Sequence, residues 1–284
     1  MLDPRLLRED FEAVKAKLKT RAVPDNFDSF PEYDRKRRTL QVELEGLRGS
    51  KNKLGPDIAK AKKDGTDVSA LLQQLKDAGE RETELGREIA DLEQYLDGLQ
   101  LIVPNIPHES VPVGTSESDN RLEKTWGEKR QFDFKPQAHW DIAEALDIVD
   151  FERAAQLSGA RFAVYKGDGA RLERALINFM LEHHHARGYT EIIPPLLVRR
   201  ETMIGSGQLP KFEGEAFRTD SGTQPLYLIP TSEVALCNMH VDEILDASQL
   251  PIYYTSYTPC FRAEAGSHGR DVRGLIRLHQ FNKV

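Results

Sequence analysis

Residues 258–284 read TPCFRAEAGSHGRDVRGLIRLHQFNKV, in which two apolar, strand-like runs flank a loop rich in Gly and Arg. Arg262 and Glu264 stand two positions apart at the exit of the first run, a spacing that places both side chains on one face of a strand. The Arg262 guanidinium is a planar fork of donors suited to a phosphate, and the Glu264 carboxylate can accept from an amino group. The segment therefore predicts a pair of strands that offers partners to both ends of a nucleotide.

The same segment resembles motif 2 of the class II aminoacyl-tRNA synthetases, and that of the seryl-tRNA synthetases in particular. A lone Arg-x-Glu is usually a pair of surface-strand residues, but here the similarity extends over all of residues 258–284. The resemblance implies that Arg262 is the catalytic residue and contacts both the α-phosphate of ATP and the bound serine. It further implies ATP binding by Arg262, Ala263 and Glu264, with Glu264 on the adenine amino group. Phe281 would stack on the adenine ring.

Three further arginines lie in or after the loop of this motif, namely Arg270, Arg273 and Arg277. Solvent exposure is the ordinary role of such residues, and contact with ATP phosphates or tRNA is the role that the resemblance implies. In the family a Glu follows the Lys-Val pair, whereas Val284 is the last residue here and motif 3 is absent from the sequence. We therefore expect a truncated chain, either a fragment of a longer enzyme or a shortened relative that cannot complete serine activation.

A second motif, Pro230-Thr231-Ser232-Glu233, follows an apolar run. By itself this pattern is typical of a helix N-cap, because a hydroxyl at that position accepts a hydrogen bond from a backbone amide. It also resembles the segment of the seryl-tRNA synthetases that contacts the amino acid. A carboxylate suits the ammonium group of serine and a hydroxyl suits its acid end, so Thr231, Ser232 and Glu233 are predicted to bind serine.

Two heptad patterns cover residues 33–61 and 68–99, and a polar turn that contains Gly65 separates them. Apolar heptads sustained over about four repeats indicate a coiled coil. Because the connection is short, the two helices are predicted to fold back on each other as a long antiparallel coiled-coil hairpin. Each helix would be roughly 45 Å long at a rise of about 1.5 Å per residue.

The two predicted helices differ in charge. Residues 33–63 contain ten Lys and Arg against four Asp and Glu, and residues 66–99 contain three against nine. Opposite charges that flank the seam would fix the antiparallel pairing. A second interpretation, compatible with the first, is that the basic helix also contacts an RNA backbone. The candidate tRNA-binding residues are Arg35, Lys36, Arg38 and Lys60, together with Arg270 and Arg273 of the motif 2 loop.

The predicted helices, strands and linker outside these motifs divide the chain into an arm and a catalytic domain. Residues 3–20 are predicted to form one short helix, and a Pro-rich stretch after the hairpin marks a linker. Beyond the linker, helical stretches at 139–157 and 169–187 alternate with short β-rich runs at 189–198, 225–229, 253–261 and 274–281. We predict an α+β protein with a tRNA-binding helical arm over 1–102, a linker over 103–120, and a partial class II catalytic domain with an antiparallel sheet over 121–284.

Residues Gly188–Pro195 follow an amphipathic helix. The pattern predicts that the helix ends at the Gly and that a strand follows, which ends at the prolines. A purely structural role is the ordinary interpretation of such a stretch. Next to the motif 2 segment it resembles motif 1 of class II synthetases, which implies a homodimer interface. His183, His184 and His185 lie beside it on the helix. Because three adjacent helical residues point in three directions, they cannot chelate one ion, and no protein metal site is predicted.

The composition is that of a soluble protein, with 39% hydrophobic and 30% charged residues and a formal net charge of −7. The negative net charge argues against a nucleic-acid-binding protein that is basic over its whole surface. It is compatible with a basic patch on one part of the surface. The sequence shows neither a membrane-spanning apolar run nor a secretory signal. Cys237 and Cys260 are the only cysteines, which favours a reduced, cytoplasmic protein.

The resemblance implies the activity of the family, in which ATP activates L-serine to seryl-adenylate and the seryl group passes to tRNA(Ser). It leaves tRNA(Sec) open as a second acceptor. The implied cofactors are ATP and Mg²⁺, and the implied partners are L-serine, tRNA(Ser) and a second copy of the chain, with no membrane. The alternative is a non-catalytic tRNA-binding paralogue or fragment.

Overall fold

The computed structural model describes residues 2–220, 222, 224–264 and 273–284. The chain forms two compact units, Met1–Thr125 and Trp126–Val284. Among the described residues, no helix combines the length and the apolar character that are needed to cross a membrane.

The first unit begins with two short helices, α1 (Pro4–Glu9) and α2 (Phe11–Leu18), where the sequence predicts one continuous helix. The break lies at Asp10, whose backbone leaves the helical region and whose carboxylate accepts from the Ala13 amide over 3.0 Å. A carboxylate in this position satisfies an amide at the helix start that has no partner within the helix. The prediction of a single helix was therefore wrong, because Asp10 both ends α1 and caps α2.

The helical hairpin predicted from the heptads is confirmed. Helix α3 covers Phe30–Lys63, helix α4 covers Ser69–Ile102, and the two pack along their length. Gly65 in the connection has a φ of 72°, a left-handed conformation that Gly adopts without the steric cost of a side chain. The middle of the hairpin is held by a buried apolar cluster of Leu40, Leu44, Leu85, Ile89 and Leu92.

Opposite charges meet across the hairpin. Arg48 and Lys51 of α3 lie 2.8 Å and 2.5 Å from the Glu82 carboxylate of α4. In the opposite direction, Arg81 of α4 lies 2.9 Å from Glu43 of α3. These pairs place the basic and acidic helices in one register, as the charge pattern predicts.

A second apolar cluster joins α1 and α2 to the base of the hairpin, and it is formed mainly by Leu7, Leu18, Phe27, Phe30, Leu96 and Leu99. Beside it lies Asp34, which is only 2% exposed and accepts from the side chains of Arg8, Arg37 and Arg38. A buried carboxylate needs such partners, because burying an unpaired charge is costly. The Arg8 contact thereby fixes α1 to α3.

The second unit mixes short helices and strands. Its helices are α5 (His139–Ala145), α6 (Phe151–Ser158), α7 (Asp168–His185), α8 (Arg200–Gly205) and α9 (Glu233–Cys237). Its strands are β1 (Val149–Asp150), β2 (Val164–Tyr165), β3 (Thr190–Glu191), β4 (Leu197–Val198), β5 (Tyr227–Leu228), β6 (Tyr254–Thr255), β7 (Thr258–Phe261) and β8 (Gln280–Lys283). The helix predicted over 139–157 is thus two helices, because β1 pairs with β2 between them and Asp150 caps α6.

Among the described residues, the strands form four pairs. The pairs β1–β2, β4–β5 and β7–β8 are antiparallel, as the sequence predicts, whereas β3 and β6 run parallel. A parallel pair requires a long connection between its strands, and the chain supplies one here, since β3 and β6 are separated by α8, α9 and two further strands.

The strand predicted over 274–281 begins only at Gln280. Gly274 has a φ of 65°, and the Leu275 amide donates to Nε2 of His139 over 2.8 Å rather than to a neighbouring strand. The apolar residues of this run therefore form a turn. The core of the unit lies nearby and consists of Val198, Met203, Leu209, Tyr227, Ile229 and Val234.

Candidate nucleotide and amino-acid site

The antiparallel pair β7–β8 brings the two ends of the predicted nucleotide motif together. Phe281 of β8 lies opposite Cys260 of β7 in the strand register. Just past the end of β7, the Arg262 guanidinium lies 5.0 Å from the centroid of the Phe281 ring. This arrangement presents a cation and an aromatic face side by side, the groups that a phosphate and a purine ring require.

The predicted geometry of Glu264 was wrong in one respect. Strand β7 ends at Phe261, so Arg262 and Glu264 do not share a strand face. Glu264 instead has a left-handed backbone with a φ of 49°. Its side chain is only 7% exposed, and its carboxylate accepts from the Arg277 guanidinium. The turn at Glu264, rather than strand alternation, brings the two side chains into the same cavities.

Two cavities meet at these residues. The first has a volume of about 270 Å³, and its lining includes Thr231, Arg262, Glu264 and Arg277. The second has a volume of about 530 Å³ and is lined by the same Arg262, Glu264 and Arg277 and by Phe281. The three shared side chains make the two cavities neighbours, with Thr231 on one side and Phe281 on the other.

The residues of the Thr231–Glu233 segment have different surroundings, since one lines a cavity and another is buried. Helix α9 begins at Glu233, and no side chain caps it through a hydrogen bond, so the segment is not a simple N-cap. The Ser232 hydroxyl is buried and shares a 2.7 Å hydrogen bond with the hydroxyl of Thr258. Thr231 lines the first cavity, and its hydroxyl lies 3.4 Å from the exposed Glu233 carboxylate. Of the three residues predicted to bind serine, Ser232 is therefore engaged in packing against β7.

Sequence reasoning missed Lys283. Its ammonium donates to the Thr231 hydroxyl over 2.9 Å, which places a positive charge at the edge of the first cavity. The signal was present in the sequence, because residues two apart on a strand share a face and Lys283 follows Phe281 at that spacing. A lysine on a short strand is, however, ordinarily a solvent-facing residue.

Strand β8 is also supported by a polar cluster. Asn282 donates to the Glu173 carboxylate of α7 over 2.7 Å and accepts from the Tyr257 hydroxyl over 3.2 Å. Partial burial, together with the negative charge of Glu173, raises the pKa of Tyr257 above its ordinary value. Tyr257 therefore stays neutral and keeps its donor, which helps to fix the strand that presents Phe281.

The predicted tRNA-binding residues fall in both units. Arg35, Lys36, Arg38 and Lys60 are exposed on α3, where Arg38 also bonds to Asp34 and Lys36 lies 3.9 Å from Glu88 of α4. Arg273 belongs to the second unit, and its guanidinium lies 4.9 Å from the Trp140 ring centroid. Arg270 lies outside the described residues. Within the part of the chain that the structure describes, no group of three or more His, Cys, Asp or Glu side chains could hold a metal ion.

Two family models match the chain. Residues 1–107 match the seryl-tRNA synthetase N-terminal domain, and residues 212–284 match the tRNA synthetase class II core domain of the G, H, P, S and T group. The first match covers the helical hairpin, and the second covers the second cavity and part of the lining of the first.

Curated relatives match over the whole chain. A serine–tRNA ligase from Syntrophotalea carbinolica is 52% identical over 285 residues, which cover 100% of this chain and 67% of the relative. A serine–tRNA ligase from Syntrophomonas wolfei is 50% identical over 285 residues, with 100% of this chain and 66% of the relative covered. The chain thus spans about two thirds of the length of the curated relatives it matches.

A solved structure shows the same fold. The seryl-tRNA synthetase from Pyrococcus horikoshii, complexed with ATP, superposes with a TM-score of 0.87 at 37% identity and covers 100% of this chain and 68% of its own. The sequence relatives, the domain models and this structural match agree with one another, and the chain belongs to the seryl-tRNA synthetase family.

Proposed function

We propose that the protein is a serine–tRNA ligase, which activates L-serine with ATP and transfers the seryl group to tRNA(Ser). One observation carries the proposal: the two cavities adjoin and share Arg262. The first cavity holds the hydroxyl of Thr231, suited to an amino acid, and the second holds Phe281, suited to a purine. Arg262 lies where a carboxylate and a phosphate would meet.

The proposed reaction joins the contents of the two cavities. The serine carboxylate attacks the α-phosphorus of ATP, the bond to the β-phosphate breaks, and pyrophosphate leaves with the electron pair. A terminal ribose hydroxyl of the tRNA then attacks the seryl carbonyl and AMP leaves. The protein contributes positioning and charge stabilisation, for which the guanidinium of Arg262 is the central group.

Glu264 and Phe281 would hold the base. Phe281 supplies a face for stacking, and the buried Glu264 carboxylate is an acceptor suited to the exocyclic amino group of adenine. The Glu264 carboxylate already accepts from Arg277, so this guanidinium lies at the nucleotide cavity and adds a second cation for the phosphates. Ala263 lies between the two functional side chains, and its amide donates to the Glu215 carbonyl over 2.9 Å.

Mg²⁺ would neutralise the phosphates of ATP, because this ion keeps several waters and usually binds through phosphates and few carboxylates. Among the described residues that line the second cavity, Glu264 is the one carboxylate, and it is already paired with Arg277. The proposal therefore places the ion mainly on the nucleotide.

The helical hairpin would bind tRNA. The exposed Arg35, Lys36, Arg38 and Lys60 lie on one helix, and cations spaced along a helix suit a phosphate backbone. Structured RNA is recognised largely by shape and backbone contacts, which a long rigid hairpin can provide. The arm would comprise residues 1–102, the linker residues 103–120, and the catalytic part residues 121–284, in a cytoplasmic protein.

A homodimer is the assembly that the second unit favours. Helix α7 exposes Leu172, Leu176, Phe179 and Met180, and Ile193 of the neighbouring motif 1 stretch is 85% exposed. A contiguous apolar face of this kind is typical of a protein–protein interface. We place the dimer contact at this face and at the adjacent Gly188–Pro195.

Serine-dependent exchange of radioactive pyrophosphate into ATP tests the proposed function in the full-length protein. Exchange with serine, and much less with threonine or alanine, is the expected result, followed by charging of a tRNA(Ser) transcript. Binding of tRNA(Ser) without any serine-dependent exchange would reject the ligase and leave an RNA-binding role.

A further inference from the structure

The backbone of the Arg262–Glu264 tripeptide is held by hydrogen bonds to other parts of the chain. The Arg262 amide donates to the His279 carbonyl over 2.9 Å, and the Arg262 carbonyl lies 2.9 Å from Nδ1 of His279. The Ala263 amide donates to the Glu215 carbonyl over 2.9 Å, and the Glu264 carbonyl accepts from the Arg161 guanidinium over 3.3 Å. The tripeptide is thus fixed from three separate segments.

Arg161 and His279 also contact each other. The His279 amide donates to the Arg161 carbonyl over 2.9 Å, so the segment before β2 is joined to the segment that leads into β8. Arg161 has a φ of 64° and Glu264 a φ of 49°, so both ends of the Arg161–Glu264 contact have a left-handed backbone. Residues other than Gly rarely adopt this conformation, and they keep it only where surrounding contacts determine it.

The His279 ring is fixed in place. Phe162 lies 5.4 Å from it between ring centroids, and Phe217 meets it edge-on at 6.1 Å. Because a carbonyl oxygen can only accept, Nδ1 must carry a proton and donate to Arg262. The imidazole therefore acts as a rigid donor that sets the position of the Arg262 carbonyl, two residues before the turn at Glu264.

We infer that His279 and Arg161 are positioning residues of the nucleotide site, which hold Arg262 and Glu264 in the orientation that binds ATP. The inference rests on the proposed function. Within the described parts of the chain, neither the His279 nor the Arg161 side chain lines either of the two cavities. Their effect would pass through the backbone of the tripeptide.

Three substitutions of His279 test the inference in the full-length protein. His279→Asn keeps a donor close to the position of Nδ1, His279→Gln moves the donor outward to the position of Nε2, and His279→Leu removes it while keeping apolar bulk. We expect ATP affinity, measured by calorimetry, to fall about threefold to tenfold in His279→Gln and His279→Leu, the loss typical of one hydrogen bond. His279→Asn should stay near the wild-type value, and the KM for serine should change little in all three.

A purely structural role predicts a different pattern, in which ATP affinity, the KM for serine and Tm change together in all three variants. That pattern would overturn the inference, and so would equal ATP affinity in His279→Leu and the wild type. If the wild type itself fails to bind ATP, the proposed function falls and the inference with it, so the two failures are distinguishable.

Arg161→Gly provides an independent test. It removes the guanidinium that bonds to the Glu264 carbonyl, yet it favours the left-handed backbone at position 161. We expect Tm to be unchanged or higher while ATP affinity falls about threefold to tenfold. Unchanged ATP affinity, or a loss of affinity that only accompanies a lower Tm, would contradict a positioning role for Arg161.

Discussion

The Arg277 guanidinium donates to the Glu264 carboxylate at the point where the two cavities meet. Glu264 is 7% exposed and the Arg277 side chain 30% exposed, so the pair is largely shielded from water. Removing one partner of such a pair is costly, because the remaining charge keeps its desolvation penalty and loses the compensation that the pair provides.

Arg277→Met is expected to lower the free energy of unfolding by about 1–3 kcal/mol, and Glu264→Gln by a similar amount. The double variant should lose clearly less than the two single losses together, because the two side chains interact directly. Urea denaturation of the four proteins measures the cycle. Additivity to within about 0.5 kcal/mol would show that the pair is not coupled.

The hairpin could be predicted from sequence because its heptads encode local, repeated contacts between neighbouring turns. The positions of Leu85, Ile89 and Leu92 in the seam follow from their spacing alone. The pairing of the two strands that carry Cys260 and Phe281 could also be predicted, because both strands belong to one continuous motif.

The details of the site could not be predicted, because they depend on contacts between distant segments. The left-handed turn at Glu264 and the bond from Lys283 to Thr231 require residues far apart in the chain to meet. Ser232 carries a hydroxyl suited to a ligand, and only its burial against Thr258 shows that it packs instead. The run after Gly274 is apolar enough for a strand. However, the Leu275 amide donates to the His139 ring and not to a neighbouring strand.

The pH dependence of the hairpin provides a second prediction. Hydrogen bonds from Lys51 and then Arg48 hold the pKa of the Glu82 carboxyl below its ordinary value. A carboxyl with a lowered folded-state pKa adds stability above its unfolded pKa, about 4.3, and this stability is lost as pH falls through the folded value. Tm of Glu82→Gln should therefore be below that of the wild type at neutral pH, and the two should converge in acid.

Circular dichroism of the full-length protein at 222 nm, recorded from neutral to acidic pH, measures this convergence. Glu80→Gln serves as the control, since Glu80 lies on the same helix with an exposed partner, Lys76, at 3.8 Å. A Tm difference between Glu82→Gln and the wild type that stays constant with pH would show that the contacts of Glu82 do not depend on its charge.

Binding of tRNA(Ser) should depend on the exposed basic residues of α3. The double variant Arg35→Glu, Lys60→Glu is expected to weaken binding and to reduce the slope of log K against log salt by about one for each phosphate that is no longer neutralised. Fluorescence anisotropy of a labelled transcript over a series of salt concentrations measures both quantities. The double variant Lys124→Glu, Lys129→Glu, in an exposed stretch outside the hairpin, is the matched control. An equal effect there would show that binding responds to the overall charge of the protein rather than to α3.

Phe179→Glu is expected to convert the proposed dimer into monomers. Phe179 is 67% exposed on the apolar face of α7, and a charge there would be buried against the partner at high cost. Leu157→Glu provides the control, because Leu157 is 77% exposed on α6, outside the proposed interface. Light scattering after size exclusion gives the masses, and a Phe179→Glu protein that stays dimeric would place the interface elsewhere.

The position of Arg262 between the two cavities is the central claim, and serine-dependent ATP–pyrophosphate exchange in the full-length protein tests it most directly. Arg262→Ala should reduce the exchange rate by about a hundredfold or more, since in the proposed reaction the lost cation would face the charge that develops at the α-phosphate. Arg153→Ala, which alters an exposed arginine on α6, should keep the wild-type rate. Exchange by Arg262→Ala at the wild-type rate would remove Arg262 from the mechanism.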